Sequence, residues 1–167
     1  QLISDQLTKE EFKLLFDSYF DSVRSYLVYR GAEKERATDL AQDVFMRVWE
    51  KQLNVDVKTA LRLLYKMAAD MFISQYRREK LEMNYRSSLT ADGLDLSPEE
   101  QLRHKELYGI YLRALSELNE NQRVVFLMSR MEGLKYSEIA ERLQLSVKAV
   151  EKRMGLALAY MKKVLEL

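Results

Sequence analysis

Apolar residues recur at helical spacing along almost the whole chain, and the longest failure of that pattern is one stretch, NYRSSLTADGLDLS at 84–97. A repeat near 3.6 residues commits a segment to an amphipathic helix, because only that period gathers its apolar side chains on one face. Phe12, Leu15, Phe16, Tyr19, Val23, Tyr26 and Leu27 carry it first, then Leu40, Ala41, Val44, Phe45, Val48 and Trp49, then Leu61, Leu64, Tyr65, Ala68, Phe72 and Tyr76. With 5 Gly and 1 Pro in 167 residues, little is present to break such helices, which predicts an all-α protein. The stretch at 84–97 gathers Ser, Thr, Asn, Asp and Gly. It reads as a flexible linker between two small helical domains, 1–83 and 98–167.

Capping signals divide the helices further. Thr8-Lys9-Glu10-Glu11 has the form of a capping box and starts a helix that runs to about Gly31; a second spans roughly 33–51. Asp56 is placed to cap a third, reaching near Leu81. Ser97-Pro98-Glu99-Glu100 restarts the pattern after the linker, with Ser as cap and Pro at the first helical position. Asn119 opens the next helix and Gly133 is positioned to stop it.

The segment YSEIAERLQLSVKAVEKRM at 136–154 has helix-turn-helix form. Ile139, Ala140 and Leu143 share one side of its first helix, and Ala140 is small enough for a second helix to cross closely. Ser146 caps that second helix, whose buried stripe is Val147, Val150, Met154, Ala157 and Met161. Lys148, Glu151 and Lys152 then occupy the wet side, where a helix laid in the major groove meets base edges and phosphates. Glu151 is suited to accept from a cytosine amino group, and Arg153 falls nearer the backbone. Lys135 and Ser137, at the start of the preceding helix, face the phosphates, since a helix N-terminus favours an anion. At Gln144 the turn calls for positive φ, which costs a non-glycine residue about 1 kcal/mol.

Charge argues against bulk nucleic-acid binding: Lys and Arg number 27 against 26 Asp and Glu, a net charge of +1. Cations are local to the tail, while Asp39, Asp43 and Glu50 mark the first half, and that asymmetry suggests two partners. Absence of Cys removes disulfides, zinc-thiolate sites and thiol nucleophiles, and fits a reducing, cytoplasmic setting. His104 is the single histidine, so neither a histidine triad nor a multi-histidine metal site can be assembled. No phosphate-cradling glycine loop is present. No catalytic function and no cofactor or metal are expected. No run of about 18 uncharged apolar residues exists to insert in a membrane.

Asp39, Gln42, Asp43 and Met46 lie at i, i+3, i+4 and i+7, one stripe opposite the Leu40, Val44 and Val48 side. An acidic, hydrogen-bonding stripe with one flexible apolar residue suits a basic partner helix. The segment DLAQDVFMRVWE at 39–50, after YLVYR at 26–30, resembles region two of the extracytoplasmic-function group of bacterial RNA polymerase sigma factors. LSELNENQRVVFLMSRMEGLKYSEIAERLQLSVKAV at 115–150 resembles region four of the same group.

The resemblance implies a sigma factor that binds core RNA polymerase through the β′ clamp and β flap and directs it to promoter DNA. It implies that Asp39, Gln42, Asp43 and Met46 meet the clamp. It places Tyr65, Lys66, Asp70, Arg77 and Arg78 on the melted minus-ten strand, and Lys135, Ser137, Lys148, Glu151, Lys152 and Arg153 on the minus-thirty-five duplex. An anti-sigma factor is the implied regulator. The alternative is a free-standing helix-turn-helix regulator that binds an operator without polymerase.

Overall fold

The structure is a computed structural model that describes residues 6–57, 59–76 and 98–165. Seven α-helices make up the ordered elements among these residues: α1 (Lys9–Arg30), α2 (Lys34–Glu50), α3 (Ala60–Tyr76), α4 (Pro98–Glu117), α5 (Glu120–Glu132), α6 (Tyr136–Leu143) and α7 (Val147–Leu165). The Ser97 cap and the linker at 84–97 lie outside the described residues.

α1 begins as its sequence dictates. The Thr8 hydroxyl accepts from the Glu11 amide at 3.1 Å, and the Glu11 carboxylate accepts the Thr8 amide at 2.9 Å, so two otherwise orphaned donors are satisfied reciprocally. It ends at Gly31, whose φ of 116° is open to a residue without Cβ. Three residues, 31–33, then turn the chain into α2, and the two helices zip together through rings. Phe16 stacks on Phe20 at 4.7 Å and meets Phe45 edge-on at 5.1 Å, while Phe12 lies 5.2 Å from Trp49. Each such pair adds about 0.5–1.5 kcal/mol beyond its area, and truncating fully buried Phe45 to Ala costs about 3–5 kcal/mol.

α3 starts later than its sequence suggests, at Ala60 and not beside Asp56. The intervening turn is held elsewhere: the Tyr19 hydroxyl donates to the Val57 carbonyl at 2.7 Å, and the Asp56 carbonyl accepts the Thr59 amide at 3.0 Å. That anchorage to α1 fixes the entry of α3, whose Leu64, Tyr65, Ala68 and Phe72 are buried.

In the second half α5 is the central helix. Val124, Val125, Phe126, Leu127 and Met128 are all buried, five consecutive residues that no single-sided helix can hide. α7 covers one side and α1 the other; α6 packs on α7 and also against α3. The two halves therefore meet along a seam, α1 on α5 and α3 on α6. Asn119 caps α5 by accepting the Gln122 amide at 2.9 Å, and Gly133 ends it at φ 65°.

Candidate nucleic-acid interface

The helix-turn-helix is built from α6 and α7. Ile139 and Ala140 are buried at the crossing with Val150 and Met154, and the Leu145 amide donates to the Ala140 carbonyl at 2.8 Å to fix the turn. Gln144 takes φ 55°, the left-handed conformation expected there. The Ser146 hydroxyl accepts the Ala149 amide at 3.1 Å and so caps α7.

This scaffold leaves Lys148, Glu151 and Lys152 exposed together on the first turns of α7, with Arg153 half-buried beside them. Lys135 and Ser137 are exposed at the start of α6. The Glu138 carboxylate already accepts the Lys135 amide at 3.3 Å, so part of the anion-attracting N-terminus of α6 is spoken for from within. An exposed helix face with two ammonium groups and one carboxylate suits a groove whose phosphates attract cations and whose bases offer amino donors.

On α2 the structure brings Asp39, Gln42, Asp43 and Met46 onto one exposed stripe, opposite buried Leu40, Ala41, Val44, Phe45 and Val48. Met46 is 56% exposed, and it borders an apolar recess of about 360 Å³ lined by Lys9, Phe12, Met46, Trp49 and Glu50. Carboxylates followed by an apolar recess along one helix match a partner helix that is basic at one end and apolar at the other.

Of the described residues assigned to single-stranded DNA, two share an exposed face and the third does not. Lys66 and Asp70, one helical turn apart, are exposed on α3. Tyr65 is only 2% exposed, with its ring 4.6 Å from that of Tyr26. Its hydroxyl donates to the Ser22 carbonyl at 3.4 Å and accepts from Arg142 of α6 at 3.4 Å. In this arrangement no base reaches the Tyr65 ring. Arg77 and Arg78 lie outside the described residues.

The seam itself is polar at two points, and neither was legible as a motif. Arg123, 2% exposed, donates from Nε to the Tyr29 carbonyl at 2.8 Å, from Nη2 to the Arg30 carbonyl at 3.1 Å, and from Nη1 to the Leu118 carbonyl at 3.2 Å. Arg30 in turn pairs with Glu120 across the seam and lies over the Phe72 ring at 5.1 Å. Further along, Arg142, Glu132, Tyr29 and Tyr65 converge. Burial raises the Glu132 carboxyl above the usual carboxylate range, with Arg142 and the Tyr29 hydroxyl opposing it only in part. Burial likewise pushes both tyrosine hydroxyls up, so they stay protonated at neutral pH. The sequence signal that marks this seam is an arginine set directly before VVFLM, a cation at the edge of a run apolar on all sides.

No cluster of three or more potential metal ligands occurs among the described residues. Likewise no helix there is long and apolar enough to cross a membrane. His104 is exposed and lies parallel to Tyr108 at 6.5 Å on α4.

A family model described as Sigma-70, region 4 matches residues 108–161. The chain is 30% identical over 151 residues to the ferric citrate uptake sigma factor FecI of Escherichia coli (strain K12), which covers 89% of this chain and 87% of that protein. To the ECF RNA polymerase sigma factor SigX of Bacillus subtilis (strain 168) it is 24% identical over 167 residues, 95% of this chain and 86% of that one. Two solved structures share the fold. CnrH, solved in complex with the cytosolic domain of CnrY, superposes with a TM-score of 0.63 at 21% identity, over 95% of this chain and 90% of its own. RpoE from Bartonella quintana, solved with the anti-sigma factor NepR, gives 0.59 at 19% identity, over 95% and 98%.

Proposed function

The chain belongs to the extracytoplasmic-function group of bacterial RNA polymerase sigma factors, and from that premise we propose how its surfaces divide the work. It binds core RNA polymerase and directs promoter-specific initiation of transcription. The α2 stripe of Asp39, Gln42, Asp43 and Met46 docks on the β′ clamp. Lys66 and Asp70 of α3, with Arg77 and Arg78 beyond it, line the path of the melted minus-ten strand. Lys135, Ser137, Lys148, Glu151, Lys152 and Arg153 read the minus-thirty-five duplex, and the second half also meets the β flap. Residues 1–83 and 98–167 act as separate reading units joined by 84–97. The protein works in the cytoplasm as a non-enzymatic subunit under the control of an anti-sigma factor.

The observation that carries this reading is that the acidic stripe of α2 and the basic turns of α7 are both exposed while the two halves meet through other faces. Docking through α2 makes the second contact intramolecular, so neither surface needs high affinity by itself. A chain of net charge +1 then suffices.

Distance adds a requirement. Minus-ten and minus-thirty-five elements lie about 25 base pairs apart, roughly 85 Å of duplex at about 3.4 Å per pair. A closed body of this chain length measures about 40 Å across. The fourteen residues at 84–97, drawn out fully, span up to about 50 Å. Both elements come within reach only after the seam opens, and Tyr65 then loses its Arg142 partner and meets solvent at its hydroxyl edge.

The test is reconstitution: purified chain, core RNA polymerase and promoter fragments, with transcript starts mapped. Initiation at starts that share an upstream motif is expected. Tight, specific duplex binding without polymerase, and no binding to core, would instead support the free-standing operator reader.

A further inference from the structure

One carboxylate at the seam is only half provided for. Glu132 lies on the last turn of α5, facing Tyr29 of α1 and Tyr65 of α3 across the seam and Arg142 of α6 within its own half. Arg142 stands 3.9 Å from Oε1, beyond hydrogen-bond range, and the Tyr29 hydroxyl faces the carboxyl from α1. Oε2 is enclosed with no hydrogen-bond partner. A charged carboxylate oxygen enclosed without a protein donor is unfavourable, and that cost weighs against the closed arrangement. Arg123, by contrast, has a carbonyl for each of its three nitrogens and holds the seam together.

We propose that Glu132 is a built-in release for the seam: its charged form loosens the packing of the second half on the first, so the closed chain stays poised to separate at neutral pH. This rests on the reading that the halves part to reach both promoter elements. Separation returns Oε2 to water and leaves Glu132 beside Arg142, where a charged pair near the surface is tolerated. The neutral form carries no such penalty and closes more firmly.

Sign and direction follow from the cluster. Burial holds the Tyr29 and Tyr65 hydroxyls protonated, so Glu132, whose carboxyl burial raises, is the acid of this cluster whose charge responds as the pH falls. Its carboxyl titrates higher in the closed form than in the separated one. The favourable contribution to closure is therefore full below the ordinary carboxylate range and is lost as pH rises through the raised closed-state value. The Arg30–Glu120 pair across the same seam acts in the opposite sense, since neutralising Glu120 removes an attraction. The response must accordingly be assigned by substitution.

The full chain has no cysteine, so Asp17→Cys on α1 and Glu106→Cys on α4, both exposed and outside the α2 stripe, accept a donor and acceptor dye at those sites alone. Single-molecule energy transfer then counts closed and separated chains. At neutral pH, Glu132→Gln is expected to raise the closed-to-separated ratio about tenfold, equivalent to about 1.4 kcal/mol. Lowering the pH from neutral toward the ordinary carboxylate range shifts the parent toward the closed form and leaves Glu132→Gln less responsive. Equal ratios in the two chains, with the parent separating normally on core RNA polymerase, overturn the role of Glu132 and leave the opening intact. A parent whose transfer efficiency is unchanged by core polymerase overturns the opening itself. Should Glu132→Gln fold poorly, the same titration in a Glu120→Gln chain, which lacks the opposing response of the Arg30–Glu120 pair, decides the matter: a shift toward separation on acidification there sinks the proposal.

Discussion

The Nε hydrogen of Arg123 reaches the main-chain carbonyl of Tyr29 at 2.8 Å, across 94 residues of sequence. With the bond from Nη2 to the Arg30 carbonyl, the guanidinium caps the C-terminal end of α1, where the last carbonyls of a helix lack internal partners and favour a cation. One half of the protein thus completes a helix of the other.

Replacing Arg123 with Met keeps much of the side-chain volume and removes all three bonds. The α1 carbonyls and the Leu118 carbonyl lose their donor, so stability falls by about 2–4 kcal/mol. Urea unfolding followed separately by the fluorescence of Trp49 and by far-ultraviolet circular dichroism should then show two transitions. A single coincident transition, unshifted from the parent, would contradict a latch at this position.

Asp43 is exposed on α2, on the side away from buried Leu40, Ala41 and Val44. Asp43→Lys should weaken binding to core RNA polymerase by at least about tenfold, while the unfolding free energy moves by no more than about 0.5 kcal/mol. Competition against a labelled parent chain measures the first and chemical denaturation the second. Unchanged affinity would remove α2 from the docking surface.

Lys152 lies on the exposed side of α7 beside Lys148 and Glu151. If it meets a phosphate, Lys152→Ala lowers the affinity of the polymerase complex for promoter duplex uniformly across sequences. The slope of log affinity against log salt then falls by about 1. A change in preference at one base pair, without loss of slope, would move Lys152 from the backbone to a base edge.

Gln144 holds φ 55° in the turn of the helix-turn-helix, where a Cβ crowds the backbone. Gln144→Gly relieves that crowding, and a gain of up to about 1 kcal/mol in unfolding free energy is expected. A loss would mean that the Gln144 side chain itself supports the turn.

Gly155 sits within α7, and a Cβ built there meets nothing within 4 Å. Ala at this position therefore gains helix propensity without a clash, and Gly155→Ala should raise the thermal midpoint by the equivalent of about 1 kcal/mol. Calorimetry on the two chains checks it; a lowered midpoint would show that the open space is needed.

The sequence by itself determined the helices, their caps and the faces they present. Thr8, Asn119 and Ser146 cap as their spacing requires, Gly133 stops α5, and the polar stripes of α2 and α7 are exposed where the period puts them, although Val147, expected in the buried stripe of α7, is 42% exposed on its first turn. These are local matters, settled by residues three or four apart on one element. Even Gln144 could be singled out, because the turn geometry follows from the two short helices beside it. Asp56 could not be placed, since a hydroxyl from α1 fixed the turn that follows it.

Only the tertiary structure decided what the doubly buried runs face. YLVY at 26–29 and VVFLM at 124–128 are apolar on all sides, which announces burial without naming the neighbour. Helical period already put Tyr65 on the apolar side of α3; the assembly set Tyr26 and Arg142 against it, and left Glu132 short of a partner while Arg123 found three carbonyls. Helical period fixes which side a residue occupies on its own element. Which element covers that side depends on contacts between residues some ninety positions apart, and no local pattern carries that information.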